Sequence, residues 1–169
     1  MILVLDSSSL ITLTRINQLS LLQNLADQTL IPSEVYQEVV NSGKDRPGAL
    51  AVQKANWLIK KTSTDVSALN RLGQRLGRGE TEAIVLAKEF SGSIVVLDDA
   101  LARRIAREER VNVVGTVGLL IHAKHKGLLS SLKPILQELK QAGFYLDQPL
   151  IDLVLQQAGE SPKPPDFEK

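Results

Sequence analysis

The sequence predicts an α/β fold, a parallel β-sheet with helices on both faces. Three observations carry this. Short β-branched and aliphatic runs alternate with longer stretches of helical periodicity, the pattern of successive βαβ units. Runs such as ILVL and IVVL show no polar alternation, which suits strands covered on both sides. The chain of 169 residues, 43% hydrophobic and 23% charged, is long enough to build one core and has an ordinary globular balance.

Taken in order, the first strand is 2–5, an apolar run that Asp6 ends, and SSSLITLT carries a helix over 8–14. A second helix spans 18–26, and TLI gives a strand near 29–31. In SEVYQEVV, at about 100° per residue, Val35, Tyr36, Val39 and Val40 form one apolar arc, so 33–42 reads as a single helix. A helix at 48–55, a weaker strand around 57–61 and a helix at 65–76 follow. Ala83, Ile84, Ala87 and Phe90 define the buried stripe of a helix at 80–90. IVVL is the strand 94–97, and the helix 99–109 buries Leu101, Ala102, Ile105 and Ala106. The strand 111–114 leads into helices at 116–126, 130–142 and 147–158. One domain is expected over 1–158, with no internal repeat. The remainder, 159–169, holds three prolines and five charges and is expected to be a disordered tail.

Composition excludes several classes. A net charge of +1 rules out holding nucleic acid by bulk charge, so any such binding needs local patches. With no cysteine, disulfides and thiolate metal sites are excluded, and a cytoplasmic location is expected. MILVL has no basic flank and meets Asp6 at once, so it is no signal peptide. The longest apolar stretch, VNVVGTVGLLIHA, falls well short of the ~20 residues that span a bilayer, so no membrane role is expected.

Chemistry concentrates in the acids. In open α/β sheets the functional crevice lies beyond the carboxyl ends of the strands. Asp6 follows the first strand, and Asp98 and Asp99 follow 94–97. Singly, each is explained as an N-cap or a first-turn acid stabilised by the helix dipole. That explains one acid per helix start, and not a doubled pair. Glu38 borders the apolar arc of its helix, whereas Glu34 lies further toward solvent. Glu80 falls within the stripe of the helix 80–90, at its first turn; Glu82 points nearly opposite and reads as a solvated carboxylate. Carboxylates gathered without histidine or cysteine repel unless a cation neutralises them. An all-oxygen set suits Mg²⁺ or Mn²⁺, whose common use is phosphoryl chemistry.

Two arginine rows, Arg71/Arg75/Arg78 and Arg103/Arg107/Arg110, share the spacing i, i+4, i+7 and flank the acids. They are either solvated helix faces or cations for nucleic-acid phosphates. His122 and His125, three apart with no third nitrogen or sulfur ligand nearby, read as a helix-end pair bonded to backbone or water. Trp57 reads as packing, since aromatics at 4% cannot make base stacking the main mode of binding.

At this point the chain resembles the PIN-domain family, the nuclease fold of VapC-type toxins. The matching pieces are LDSSSLI, IPSEVYQEVV, GRGETEAIVLA, and VVLDDALARRIA followed by VVGTVGLL, in family order over roughly three quarters of the chain. The GETEAI and DDALARR forms resemble a prokaryotic branch of the fold. The resemblance implies a single α/β/α domain, a Mg²⁺- or Mn²⁺-dependent acidic site and hydrolysis of RNA. By position, Asp6 matches the first acid, Glu38 the second, Glu80 the third and Asp98 or Asp99 the last. Ser8 matches the small hydroxyl residue that follows the first acid by two places. Asp6, Glu80, Asp98 and Asp99 are the expected metal ligands, and Ser8, Arg103 and Arg107 the expected RNA contacts. The choices Asp98 against Asp99 and Glu80 against Glu82 stay open. A toxin of this kind would have a protein antitoxin as partner and assemble as a homodimer. The alternative is a catalytically silent PIN-fold module that binds RNA or protein. A receiver-type or phosphatase-type α/β protein is disfavoured, because Ser8 stands where a phosphatase has its second aspartate and no strand-terminal lysine is evident.

Overall fold

The computed structural model describes residues 1–42 and 46–160. They fall into two compact units, Met1–Thr116 and Val117–Lys169. Of the expected tail at 159–169, residues 161–169 lie outside the described residues.

The first unit is built on five strands, β1 (Ile2–Leu5), β2 (Gln28–Pro32), β3 (Leu58–Lys61), β4 (Ile94–Val96) and β5 (Asn112–Val114). All pair in parallel, in the order β3-β2-β1-β4-β5. The chain thus builds outward from β1 to β3, returns across the sheet, and builds outward again from β4. The reversal falls between β1 and β4, which pair with Leu3 opposite Ile94 and Leu5 opposite Val96. At such a reversal the connecting helices leave to opposite sides and a crevice opens past the strand ends.

Between the strands run α1 (Ser7–Arg15), α2 (Leu22–Leu25), α3 (Ser33–Tyr36), α4 (Pro47–Lys54), α5 (Val66–Leu72), α6 (Arg78–Glu89) and α7 (Ala100–Glu108). Alternation along the strands assigns the faces. Val4, Leu30 and Val95 point to one side and pack with Leu72 of α5, Ile84 and Leu86 of α6 and Ile105 of α7. Leu3, Leu5 and Ile31 point to the other, where Leu10, Leu13, Leu22 and Leu25 of α1 and α2 are buried. Helix α6 is buried on most of its circumference because it touches β1, β2, β4, α3 and α5.

Three differences from the sequence reading have physical causes. The expected single helix 33–42 is α-helical only to Tyr36; Gln37–Asn41 takes a wider π register. The helix expected over 65–76 ends at Leu72, where Gly73 takes over as cap. Leu101, expected in the stripe of α7, is 40% exposed, and the buried stripe is Ala102, Ile105 and Ala106.

The second unit holds most of α8 (Thr116–His125), then α9 (Lys133–Gln141) and α10 (Gln148–Gln157). His125 meets the carbonyl of Gln157 at 2.7 Å, the helix-end bond to backbone that the sequence suggested. Glu160, placed by the sequence in the tail, accepts from the Leu132 N–H at 2.6 Å and Ser131 Oγ at 2.9 Å, so the last described residues are tied down. No helix among the described residues is long and apolar enough to cross a membrane.

Candidate active site

The reversal between β1 and β4 places Asp6 and Asp98 on adjacent strand ends. Asp6 is both the first residue past β1 and the N-cap of α1. Its Oδ1 accepts from the Ser9 N–H at 2.8 Å and from Ser9 Oγ at 2.5 Å. It is 2% exposed. Burial pushes its carboxyl up to about 6, against the two bonds from Ser9, and the negative charges of Asp98 and Glu80 push in the same direction as burial. A buried carboxylate that also feels two others marks a candidate functional site.

Asp98 and Asp99 divide the work of the doubled pair. Asp99 caps α7, its Oδ1 accepting from the Ala102 N–H at 2.8 Å, and is exposed. Asp98 turns the other way. Its Oδ1 accepts from the Thr116 N–H at 2.7 Å and its Oδ2 from Thr116 Oγ1 at 2.6 Å. Thr116 is fully buried, so this clamp fixes the carboxylate's plane. Gly115 leaves room for it, since a Cβ there would stand 3.3 Å from Asp98 Oδ1.

The remaining acids arrive on α6 and the π segment. Glu80 sits in the first turn of α6 and reaches back to the Gly77 N–H at 3.2 Å. This is half of a capping box, because Gly77 has no side chain to return the bond. Partial burial raises the Glu80 pKa, and Asp99 and Glu38 raise it further against that bond from Gly77. Glu38 accepts a hydrogen bond from Ser7 Oγ. Asp6, Ser7, Ser8, Glu38, Arg78 and Glu80 line one cavity of about 310 Å³. Ser8 is on its exposed rim.

Glu82 requires a correction. It is half-buried rather than solvated, and its carboxylate accepts from the Glu34 N–H at 3.4 Å, at the start of α3. Burial raises its pKa despite that bond. Glu34 in turn pairs with Arg78 at 3.4 Å. The electropositive start of α3 explains Glu82, whereas Glu80 lines the acidic cavity.

The arginine rows also resolve residue by residue. Arg71 and Lys88 hold the Glu109 carboxyl down to about 2, and Arg75 pairs with Glu108 at 3.3 Å. These are structural ion pairs between helices. Arg103 is partly buried and donates to the carbonyls of Asp98 at 2.6 Å and Leu97 at 3.4 Å, pinning the end of β4. Arg107 is exposed, and its side chain makes no ion pair or hydrogen bond among the described residues.

Sequence reasoning missed Ser7, Ser9, Thr116 and Gly79. A Cβ on Gly79 would stand 2.9 Å from both Glu38 Oε2 and Ser7 Oγ. Both are ends of movable side chains, so Gly79→Ala should fold at least as stably as the wild type. Alanine in a helix is favoured over glycine by up to ~1 kcal/mol. The substitution should nonetheless displace the Ser7–Glu38 pair and lower any activity of the site by about tenfold, roughly the effect of one lost positioning contact. Melting and turnover measured together check this; unchanged turnover with a normal melt would remove Glu38 from the site.

The donor set is all carboxylate, as a hard divalent cation requires. Among the described residues, no three acidic or histidine side chains already converge to hold a metal ion. Each carboxylate has instead turned to a local donor: Asp6 to Ser9, Glu38 to Ser7, Glu80 to Gly77 and Asp98 to Thr116. Asp6 Oδ2, Glu38 Oε1 and Glu80 Oε1 accept no hydrogen bond among those residues. The residues therefore fit such an ion by chemistry, with acceptor oxygens in reserve.

Fold and site together define an α/β protein with an acidic, oxygen-lined crevice at the reversal of a parallel sheet. The chain belongs to the PIN-domain family: a family model described as PIN domain matches residues 2–160. PIN domains are typically nucleases and generally use divalent metal ions. Among solved structures, the chain is similar in fold to a PilT N-terminus domain protein from the archaeon Sulfolobus solfataricus P2. That match has 20% identity and a TM-score of 0.52, covering 73% of this chain and 93% of the other. No curated protein sequence matches the chain.

Proposed function

We propose that the chain is a divalent-metal-dependent endoribonuclease that hydrolyses internal phosphodiester bonds of RNA. One observation carries the reading most: Asp6 is buried at the strand reversal, within the fields of Asp98 and Glu80. Asp6, Glu80 and Asp98 would hold Mg²⁺ or Mn²⁺, with Glu38 alongside and Asp99 adding charge at Glu80. When bound, the ion supplies Lewis-acid polarisation of a phosphoryl group and offsets the charge that builds as water attacks phosphorus. Thr116 orients Asp98, since its N–H and its hydroxyl each donate to one of the two carboxylate oxygens. Arg78 and Arg107 supply cations toward RNA phosphates, while Arg103 serves the site through the backbone of Asp98. In the toxin form of this reading a protein antitoxin binds the chain, which acts as a homodimer. Growth arrest on expression, relieved by Asp6→Asn, would support that form.

A catalytically silent module that binds RNA or protein is the second reading. It is favoured by the absence of a preformed three-ligand site among the described residues. One experiment separates the two. Purified protein incubated with a mixed RNA pool should cut internally with Mn²⁺ or Mg²⁺ and stop on adding EDTA. Saturating Mn²⁺ should also raise the melting temperature, because an ion that binds only the folded state stabilises it by mass action. RNA left whole and a melt that ignores Mn²⁺ would favour the silent module.

A further inference from the structure

A second cavity, of about 350 Å³, shares Glu38 as a wall with the acidic one. It lies among α1, the π segment and α4. We infer that it receives one nucleobase of the RNA, belonging to a nucleotide beside the phosphate held at the acids; this rests on the ribonuclease reading. Its volume lies at the low end of ligand pockets and suits one nucleoside rather than two.

The lining suits a base as well. Val39 and Ala49 are buried and, with Ile11, give an aliphatic floor for the faces of a flat ring. Arg46 is exposed at the rim, where a guanidinium can meet a phosphate or lie over a ring. Arg15, the last residue of α1, stands on the same rim. An aliphatic slot with cations on its edge and a carboxylate on its wall matches a nucleotide better than a wholly apolar side chain. The slot is also built in. A Cβ on Gly48 would stand 2.7 Å from Thr14 Oγ1, so α4 lies directly against α1 there. The π register, a feature common at functional sites, places Glu38 between the two cavities.

The test uses an RNA whose cut bond has been mapped with the wild-type chain. Copies carrying a single abasic nucleotide, moved through the positions flanking that bond, are titrated by anisotropy against full-length Asp6→Asn, which leaves RNA whole. One abasic position should weaken binding by about tenfold, the scale of one lost base contact. Ala49→Phe, added to fill the slot, should bind intact and abasic RNA equally weakly. If that variant fails to fold, Arg46→Glu on the exposed rim should weaken binding and lower the salt slope by about one phosphate contact. Both variants should keep the Mn²⁺ melting shift of the Asp6-containing chain, since no acid is touched. A flat abasic scan alongside normal cleavage overturns the proposal and leaves the slot to something else, such as an apolar side chain of a protein partner. RNA that is neither cut by the wild type nor bound removes the ribonuclease reading itself, and the base slot with it.

Discussion

Asp6→Asn should lose RNA cleavage by on the order of 10²-fold or more, the scale of several kcal/mol of transition-state stabilisation. The fold should persist. Asn keeps an oxygen where Asp6 Oδ1 accepts from Ser9 N and Oγ, and Asn caps a helix about as well as Asp. The sign of the stability change follows from the pKa. Burial raises the Asp6 carboxyl from 3.8 to about 6, so the folded chain holds this proton more tightly than the unfolded one. Its contribution is therefore most favourable below pH ~4, falls as pH rises from about 4 to about 6, and stays low above that. Two pKa units correspond to about 3 kcal/mol, an upper figure for what Asn relieves. In EDTA at pH 7.5, Asp6→Asn should melt several degrees above wild type, and at pH 4 the two should converge. Melting curves at the two pH values, with cleavage in Mn²⁺, check both halves. Wild-type cleavage by Asp6→Asn would sink the assignment, and so would a variant that melts lower at both pH values.

Asp98 and Asp99, adjacent and chemically alike, should respond unequally. Asp98→Asn replaces a carboxylate clamped by Thr116 N at 2.7 Å and Oγ1 at 2.6 Å and facing Asp6, and should lose cleavage by about 10²-fold. Asp99→Asn keeps the cap on Ala102 and should stay within a few-fold of wild type, while Asp99→Ala should cost about 1 kcal/mol of stability. Thr116→Val removes one of the two bonds on Asp98 and should weaken Mn²⁺ binding, read from the melting shift, with Thr116→Ser restoring it. The reverse ranking would assign the ligand to Asp99, whose charge reaches Glu80.

The acids were legible because each follows an apolar run that can only be a buried strand, sits in the first turn of an amphipathic helix, or, as Glu38 does, borders the apolar arc of one. Their partners were not. Ser7, Ser9 and Thr116 are small hydroxyl residues of a kind found at any helix start. An N-cap at Asp6 implies a bond from the backbone near Ser9, yet nothing local says that the Ser9 hydroxyl will join it or that Thr116 will hold an acid eighteen residues before it. Arg103 illustrates the same limit. Its spacing with Arg107 is that of a surface row, yet its guanidinium turns back onto the carbonyls of Leu97 and Asp98.

By itself the sequence determined the parallel α/β class and the five strands, and it nominated five acids as candidates for the site, because hydrophobic periodicity and the chemistry of side chains are local properties. Only the tertiary structure decided which acids meet. The strand order β3-β2-β1-β4-β5 pairs β1 with β4, segments remote in sequence, and so brings Asp98 to Asp6. Packing of α3 against α6 sets Glu82 on the Glu34 N–H at the start of α3, half-buried where its helical phase had suggested solvent. Packing likewise selects the π register at Gln37–Asn41, on which the placement of Glu38 depends. Such choices are made by the burial of surfaces from distant segments, a free energy that no window of neighbouring residues contains.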